Sequence, residues 1–214
     1  MRRARGFTLL EILLALALAA MLLVGLNTFV FSMGELWGRQ SEVRLFELHT
    51  RAVTRWLQAE LRDAVRPPPA RDDRDPITVG EIRTRGAGTD NLLTYELREG
   101  GRLMSWPDQP LPDVVCSLQV RPREGLVLLW HSRLETKFAD EPPRETLVSP
   151  WVSGFAYEYY DEDLRQWRKE TTFRRGDNSE LVVPQRLRIT FTYSGITRET
   201  LVTIPTLTEG QPNF

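Results

Sequence analysis

A single cysteine, Cys116, stands in the 214 residues, so no disulfide can form within the chain and no Cys pair is present to ligate a metal. Histidine is nearly as scarce: His49 and His131, with no second cysteine, leave no recognisable zinc spacing. An excess of either charge is missing too. Twenty-eight basic against 29 acidic residues give a formal net charge of -1, which argues against a generally basic nucleic-acid binder. GxSxG, HExxH, GxxxxGK[ST] and CxxC do not occur, and with them go the familiar hydrolase, zincin, P-loop and redox signatures. No internal repeat is evident. The length suits one ordinary domain plus an extension, and is short for two independent hydrophobic cores.

What the chain does have is one concentrated apolar stretch at its start. Ile12 to Leu26 carries no charge, and Phe7 to Leu10 extends it to about 20 residues, enough to span a hydrocarbon core of roughly 30 Å. Arg2, Arg3 and Arg5 precede it without an acidic residue among them, so the positive-inside tendency places the amino terminus in the cytoplasm and the rest outside. A secretory signal peptide is one reading, with Ala15-Leu16-Ala17 or Ala17-Leu18-Ala19 as the cleavage motif. Against it, Met21-Leu22-Leu23-Val24 would be left at the exposed end of the mature chain. A plain signal anchor explains the length and the leader, yet has no use for Glu11. An ionisable group in a spanning helix costs a few kcal/mol and is usually kept for a partner.

The order basic leader, Gly6, Phe7, Glu11, apolar run resembles the class III leader junction of type IV pilins and type II secretion pseudopilins. The resemblance implies that a membrane peptidase cuts between Gly6 and Phe7 on the cytoplasmic side and N-methylates the new terminus at Phe7. It also implies an assembly role for Glu11, whose carboxylate would pair with the terminal amine of a neighbouring subunit and offset the desolvation of both charges.

Beyond the apolar run the helical pattern continues. Val43, Phe46, Thr50, Val53, Leu57, Leu61 and Ala64 recur at spacings of three and four and draw one mostly apolar stripe. Glu35 with Arg39 and Glu47 with Arg51 are favourably oriented i,i+4 pairs on the charged side. Pro67-Pro68-Pro69 stops the helix near Arg66, while Gly25, Asn27 and Gly34 are places where it could loosen. The segments read as leader 1–6, transmembrane helix 7–34, periplasmic helix 35–66 and β-rich head 67–214.

After the proline-rich connector, alternation of period two takes over. Val114, Cys116, Leu118 and Val120 alternate with Val115, Ser117, Gln119 and Arg121, and "RPREG" turns the chain into the apolar run Leu126 to Trp130. Phe155, Tyr157 and Tyr159 lead to the acidic tip Asp161-Glu162-Asp163, with Trp167 on the return. Leu187 to Tyr193 run through Ser194-Gly195 into Ile196, Val202 and Ile204. These are three hairpins, and the expected fold is α+β, pilin-like: a long N-terminal helix, membrane-spanning in its first half, packed on an antiparallel sheet. "FAYEYYDEDLRQW" and "LVVPQRLRITFTY", entered through Pro184, together with the length, are similar to the J class of type II secretion minor pseudopilins.

That resemblance implies an assembly protein of the inner membrane, single-pass, with its head in the periplasm. Its partners would be other minor and major pseudopilins, the prepilin peptidase, the inner-membrane assembly platform and the membrane. No catalytic residue, metal or cofactor is assigned. A minor type IV pilus subunit, for pilus assembly with DNA uptake as one role, is the nearest alternative, and a membrane-anchored or secreted β-rich enzyme is the alternative of another class. His49 and His131 read as structural or surface residues and Cys116 as a buried inert thiol. Asp72-Asp73-Asp75 and Asp161-Glu162-Asp163 hold oxygen ligands of the calcium type without EF-hand spacing, and read as solvated loops. Arg165, Trp167, Arg168, Lys169, Phe173, Arg174 and Arg175 mix cations with aromatics as a single-strand nucleic-acid surface does. The three acids just before them and Glu170 dilute the field, and nucleic acid is not expected as a partner.

Overall fold

The computed structural model describes residues 8–65, 75–84, 88–105, 107–138, 141–176 and 178–205, the side chains of 35–40 excepted. The protein divides into two units, 1–48 and 49–214, with the boundary inside its single long helix. That helix, α1, runs over Leu9–Val65. It passes Gly25, Asn27 and Gly34 without interruption, so the possible loosening there does not break it. Thr28, beside them, returns its hydroxyl to Val24 O at 2.9 Å, which satisfies a polar group that an apolar solvent would not.

In the first unit the helix exposes its apolar side chains all round from Leu9 to Gly34. Further along, the predicted stripe is buried at Phe46, Thr50, Val53, Leu57, Leu61 and Ala64, and Val43 is half-buried. Helix ends before the three prolines because proline lacks the amide donor and its ring excludes helical geometry just upstream.

Among the described residues, the second unit adds nine strands in two antiparallel sheets. Strands β1 (Ile77–Thr84), β2 (Gly88–Glu99), β3 (Pro112–Arg121), β4 (Gly125–Ser132) and β5 (Arg144–Ser149) lie side by side in chain order. Strands β6 (Val152–Asp161), β7 (Gln166–Glu170), β8 (Arg186–Tyr193) and β9 (Ile196–Thr203) form the other sheet, in the order β7-β6-β8-β9. All three hairpins expected from the sequence are present: Val120 opposes Leu126, Tyr160 opposes Trp167, and Tyr193 opposes Ile196. The last closes on two residues, Ser194 (φ 47°) and Gly195 (φ 80°), both left-handed as the twist of a tight hairpin requires.

Two features depart from the sequence reading. The head has two sheets where one was expected, because the chain turns at Ser149-Pro150-Trp151 and starts a new ladder at Val152. Gly125 permits that corner. A Cβ there would stand 2.1 Å from Ser149 O and 2.7 Å from Pro150 Cα, and its φ is +99°, so only glycine fits. The second departure is β3, where the alternation predicts one exposed face. Val115, Ser117 and Gln119 are instead buried along with Val114, Cys116 and Leu118. The cause is a second, smaller core on the outer side of the first sheet, made by Leu92, Val127 and Leu129 with Ile82 against them. Arg121, bound to Glu145 through both terminal nitrogens at 2.8 Å, and Arg133, paired with Glu96, lie over the same sheet. Long cationic stems cover apolar and small polar groups while their heads stay paired.

Helix and sheets are tied within the second unit by polar bonds as well as by the stripe. Gln58 donates its amide to Thr203 O at 2.9 Å and accepts from Thr203 N at 3.0 Å, completing the ladder of an edge strand with a side chain. An uncovered edge would otherwise invite a foreign strand. Thr54 meets Thr200 hydroxyl to hydroxyl at 2.9 Å.

Candidate functional site

The segment singled out by the sequence is the start of α1. Gly6 and Phe7 lie outside the described residues; Glu11 lies within them. The helix opens on Thr8, whose carbonyl accepts the first helical bond from Ile12 N at 3.3 Å. Thr8 Oγ1 accepts from Glu11 N at 3.3 Å, and Glu11 Oε2 accepts from Thr8 N at 3.1 Å and from Thr8 Oγ1 at 3.3 Å. This is a reciprocal capping box, which satisfies two of the amides that a helix start leaves without partners. A carboxylate in the first turn also meets the positive end of the helix dipole. The spacing T-x-x-E in Thr8-Leu9-Leu10-Glu11 announces this cap, and reading Glu11 only as a docking charge passes over it. The cap uses one carboxylate oxygen. Among the described residues Oε1 accepts no hydrogen bond, and a carboxylate has capacity for more.

From Leu9 to Gly34 the helix is long and apolar enough to cross a membrane, and none of it is buried within the chain. A soluble helix with this composition would be hidden in a core.

The family model described as the prokaryotic N-terminal methylation motif matches residues 1–27. No curated protein and no solved structure matches the chain. The amino terminus is therefore of the prepilin type, and the long apolar N-terminal helix with antiparallel sheets is consistent with a pilin-like fold; together they support a type IV pilin-like protein. A motif of this kind implies processing by a prepilin peptidase and assembly with other pilin-like subunits, and points to a structural protein rather than an enzyme. The single apolar helix fits a membrane anchor.

The remaining candidates resolve into packing. His49 Nε2 lies 2.8 Å from Ser149 Oγ, a nucleophile and base pairing that the sequence does not reveal because the two are 100 positions apart. Ser149 is fully buried and also accepts Trp151 N at 3.3 Å, and Trp151 packs edge-on against the imidazole at 4.4 Å, so this pair joins the helix to the corner between sheets. Burial lowers the His49 pKa. His131 stacks on Phe138 at 3.9 Å. Cys116 is buried, as expected.

The cation and aromatic segment is largely self-neutralised. Arg168 pairs with Asp161 at 2.8 Å and Lys169 with Glu199 at 3.4 Å. Arg174 holds Glu170 and lies over Tyr159, and Phe173 stacks on Tyr157 at 4.0 Å. The Trp167 ring is covered by Arg186 at 3.6 Å. Bases would have to displace these partners to stack. Of the acidic tip, Asp161 spends one oxygen on Leu164 N and the other on Arg168. Asp72 and Asp73 lie outside the described residues, and among the described ones no group of three His, Cys, Asp or Glu is placed to hold a metal.

Proposed function

We propose that the protein is a minor pseudopilin, most similar to the J class, which assembles with other pseudopilins at the tip or in the initiation complex of a type II secretion pseudopilus. The observation that carries this reading is the prepilin-type amino terminus leading directly into a helix that begins apolar and exposed and ends as the spine of a β-rich head. Residues 1–6 form the leader, 7–34 the transmembrane part of the helix, 35–66 its periplasmic part and 67–214 the periplasmic head. The peptidase cuts between Gly6 and Phe7, Phe7 is methylated, and the anchor sits in the inner membrane with its leader in the cytoplasm. After the cut, Glu11 turns from a purely local cap into a docking charge: Oε1 takes the amine of a neighbouring subunit while Oε2 keeps the helix start in shape.

Mass spectrometry of the protein purified from its native membrane tests the reading. The expected mature terminus is N-methyl-Phe7; cleavage after Ala17 or Ala19, or an uncut chain, would sink it.

A further inference from the structure

Among the described residues Glu60 Oε2 is buried without a hydrogen-bond partner, and Tyr95 Oη meets none in full hydrogen-bond geometry although the Cys116 thiol lies beside it. They belong to one cluster built from four parts of the head. Glu60 comes from the last two turns of α1, Tyr95 from β2, and Cys116 from β3 as the Cα partner of Tyr95. Met104 follows β2, and its Sδ accepts from the Cys116 thiol at 3.1 Å. Tyr95, Cys116 and Met104 are completely shielded from solvent. The backbone closes tightly over the carboxyl, since a Cβ on Gly101 would stand 3.2 Å from Glu60 Oε1.

An ionised carboxylate in this place is poorly provided for. Among the described residues, the side-chain donor acting on it is the Trp56 indole N–H, one turn earlier on the same helix. Asp63, the charged group acting on it from α1, is of like sign. From the sheet it faces the Tyr95 hydroxyl and the Cys116 thiol, which burial keeps in their neutral forms, and Gly101 and Met104 bring no charge. Burial and Asp63 together push the carboxyl up to about 7, because a charge removed from water without compensation is costly.

We propose that Glu60 is a proton-operated latch which, when protonated, closes the Gly100–Met104 segment and the last two turns of α1 onto the Tyr95–Cys116 row. Without the proton, the half-buried negative charge admits water and that closure loosens. The latch works independently of the filament reading, since it lies wholly in the second unit. It makes the grip of the helix on the first sheet respond to pH across neutrality.

Hydrogen exchange followed by mass spectrometry on the full chain in detergent micelles, from pH 6 to 8.5 and corrected for intrinsic exchange rates, tests it. In the wild type, peptides covering 56–65 and 100–104 should lose about tenfold in protection, with a midpoint near 7. Glu60→Gln should keep the pH 6 level throughout. Asp63→Asn, a change at an exposed residue, should move the midpoint to lower pH. Flat protection in the wild type, an undiminished loss in Glu60→Gln, or an unmoved midpoint in Asp63→Asn would each overturn the latch.

Discussion

At the scale of single residues, Glu11 caps the helix start and, on the proposed function, also docks a neighbouring subunit; two substitutions separate the two tasks. Thr8→Val removes the hydroxyl of the cap and leaves the carboxylate. It should cost about 1 kcal/mol at the helix start, read as faster amide exchange over residues 9–12, while co-assembly with other subunits persists. Glu11→Ala removes both tasks and should abolish co-assembly while leaving cleavage after Gly6 largely intact. Equal assembly defects in the two variants would mean that capping alone matters. Thr8→Ser, which keeps the oxygen, should behave as the wild type in both measurements.

Glu60 and the histidines give the head opposing pH dependences. Because the Glu60 carboxyl rises from its ordinary 4.5 to about 7 on folding, the folded head takes up a proton in that interval. Its contribution to stability is therefore fully present below 4.5 and lost as pH rises through 7. His49 and His131, lowered by burial, act the other way: they favour folding above their unfolded value and cost stability as pH falls below it. Glu135, lowered by its bond from Arg144, likewise favours folding above the ordinary carboxylate range and loses that contribution on acidification. The pH profile alone is therefore a sum of opposing slopes. The informative quantity is the difference between wild type and Glu60→Gln in urea denaturation at pH 5 and pH 8: Glu60→Gln should gain relative stability at pH 8 and none at pH 5.

At the scale of elements, two glycines with positive φ serve different ends. Gly195 sits in a hairpin turn with open space around its Cβ position, so Gly195→Ala meets only the left-handed penalty, about 1–2 kcal/mol. Gly125 meets that penalty and a collision with the Ser149 carbonyl besides. Gly125→Ala should cost on the order of 3 kcal/mol or more and spread its effect to both sheets, because the corner that joins them must move. Thermal unfolding of the pair checks the ranking; equal losses would show that the corner yields easily. Gln58→Ala should cost about 1–2 kcal/mol through two lost bonds, with amide exchange at Thr203 accelerated and the strands of the first sheet unaffected.

At the scale of the molecule, the two units present different surfaces. The stretch Leu9–Gly34 offers an apolar surface on every side, whereas the second unit has its own core running from Val53 to Ile204. Full-length protein should stay monodisperse only in detergent or lipid, and limited proteolysis that cuts before His49 should release a product that remains folded and soluble. Aggregation of that product, with loss of near-ultraviolet circular dichroism, would show that the core depends on the first unit.

The sequence by itself determined what is local in the chain or repeats along it: the prepilin-type junction, the apolar span, the helix with its stop at three prolines, and three hairpins whose turns and alternation are written in adjacent residues. Even the capping box was legible in Thr8-Leu9-Leu10-Glu11. Strands β1 and β5 are less legible, since Ile77–Thr84 interleaves glycine and charge with few apolar residues, and Arg144–Ser149 is short and half-buried. What only the tertiary structure decided arises between residues far apart in sequence. It decided the division into two sheets at the Gly125–Ser149 approach, the burial of both faces of β3 and the side-chain completion of β9 by Gln58. It also decided the pairing of His49 with Ser149 and the enclosure of Glu60. A carboxylate on a helix reads the same in sequence whether it meets water or a tyrosine from a distant strand. Its chemistry is set by the surfaces that close over it, and those are chosen by the packing of the whole head.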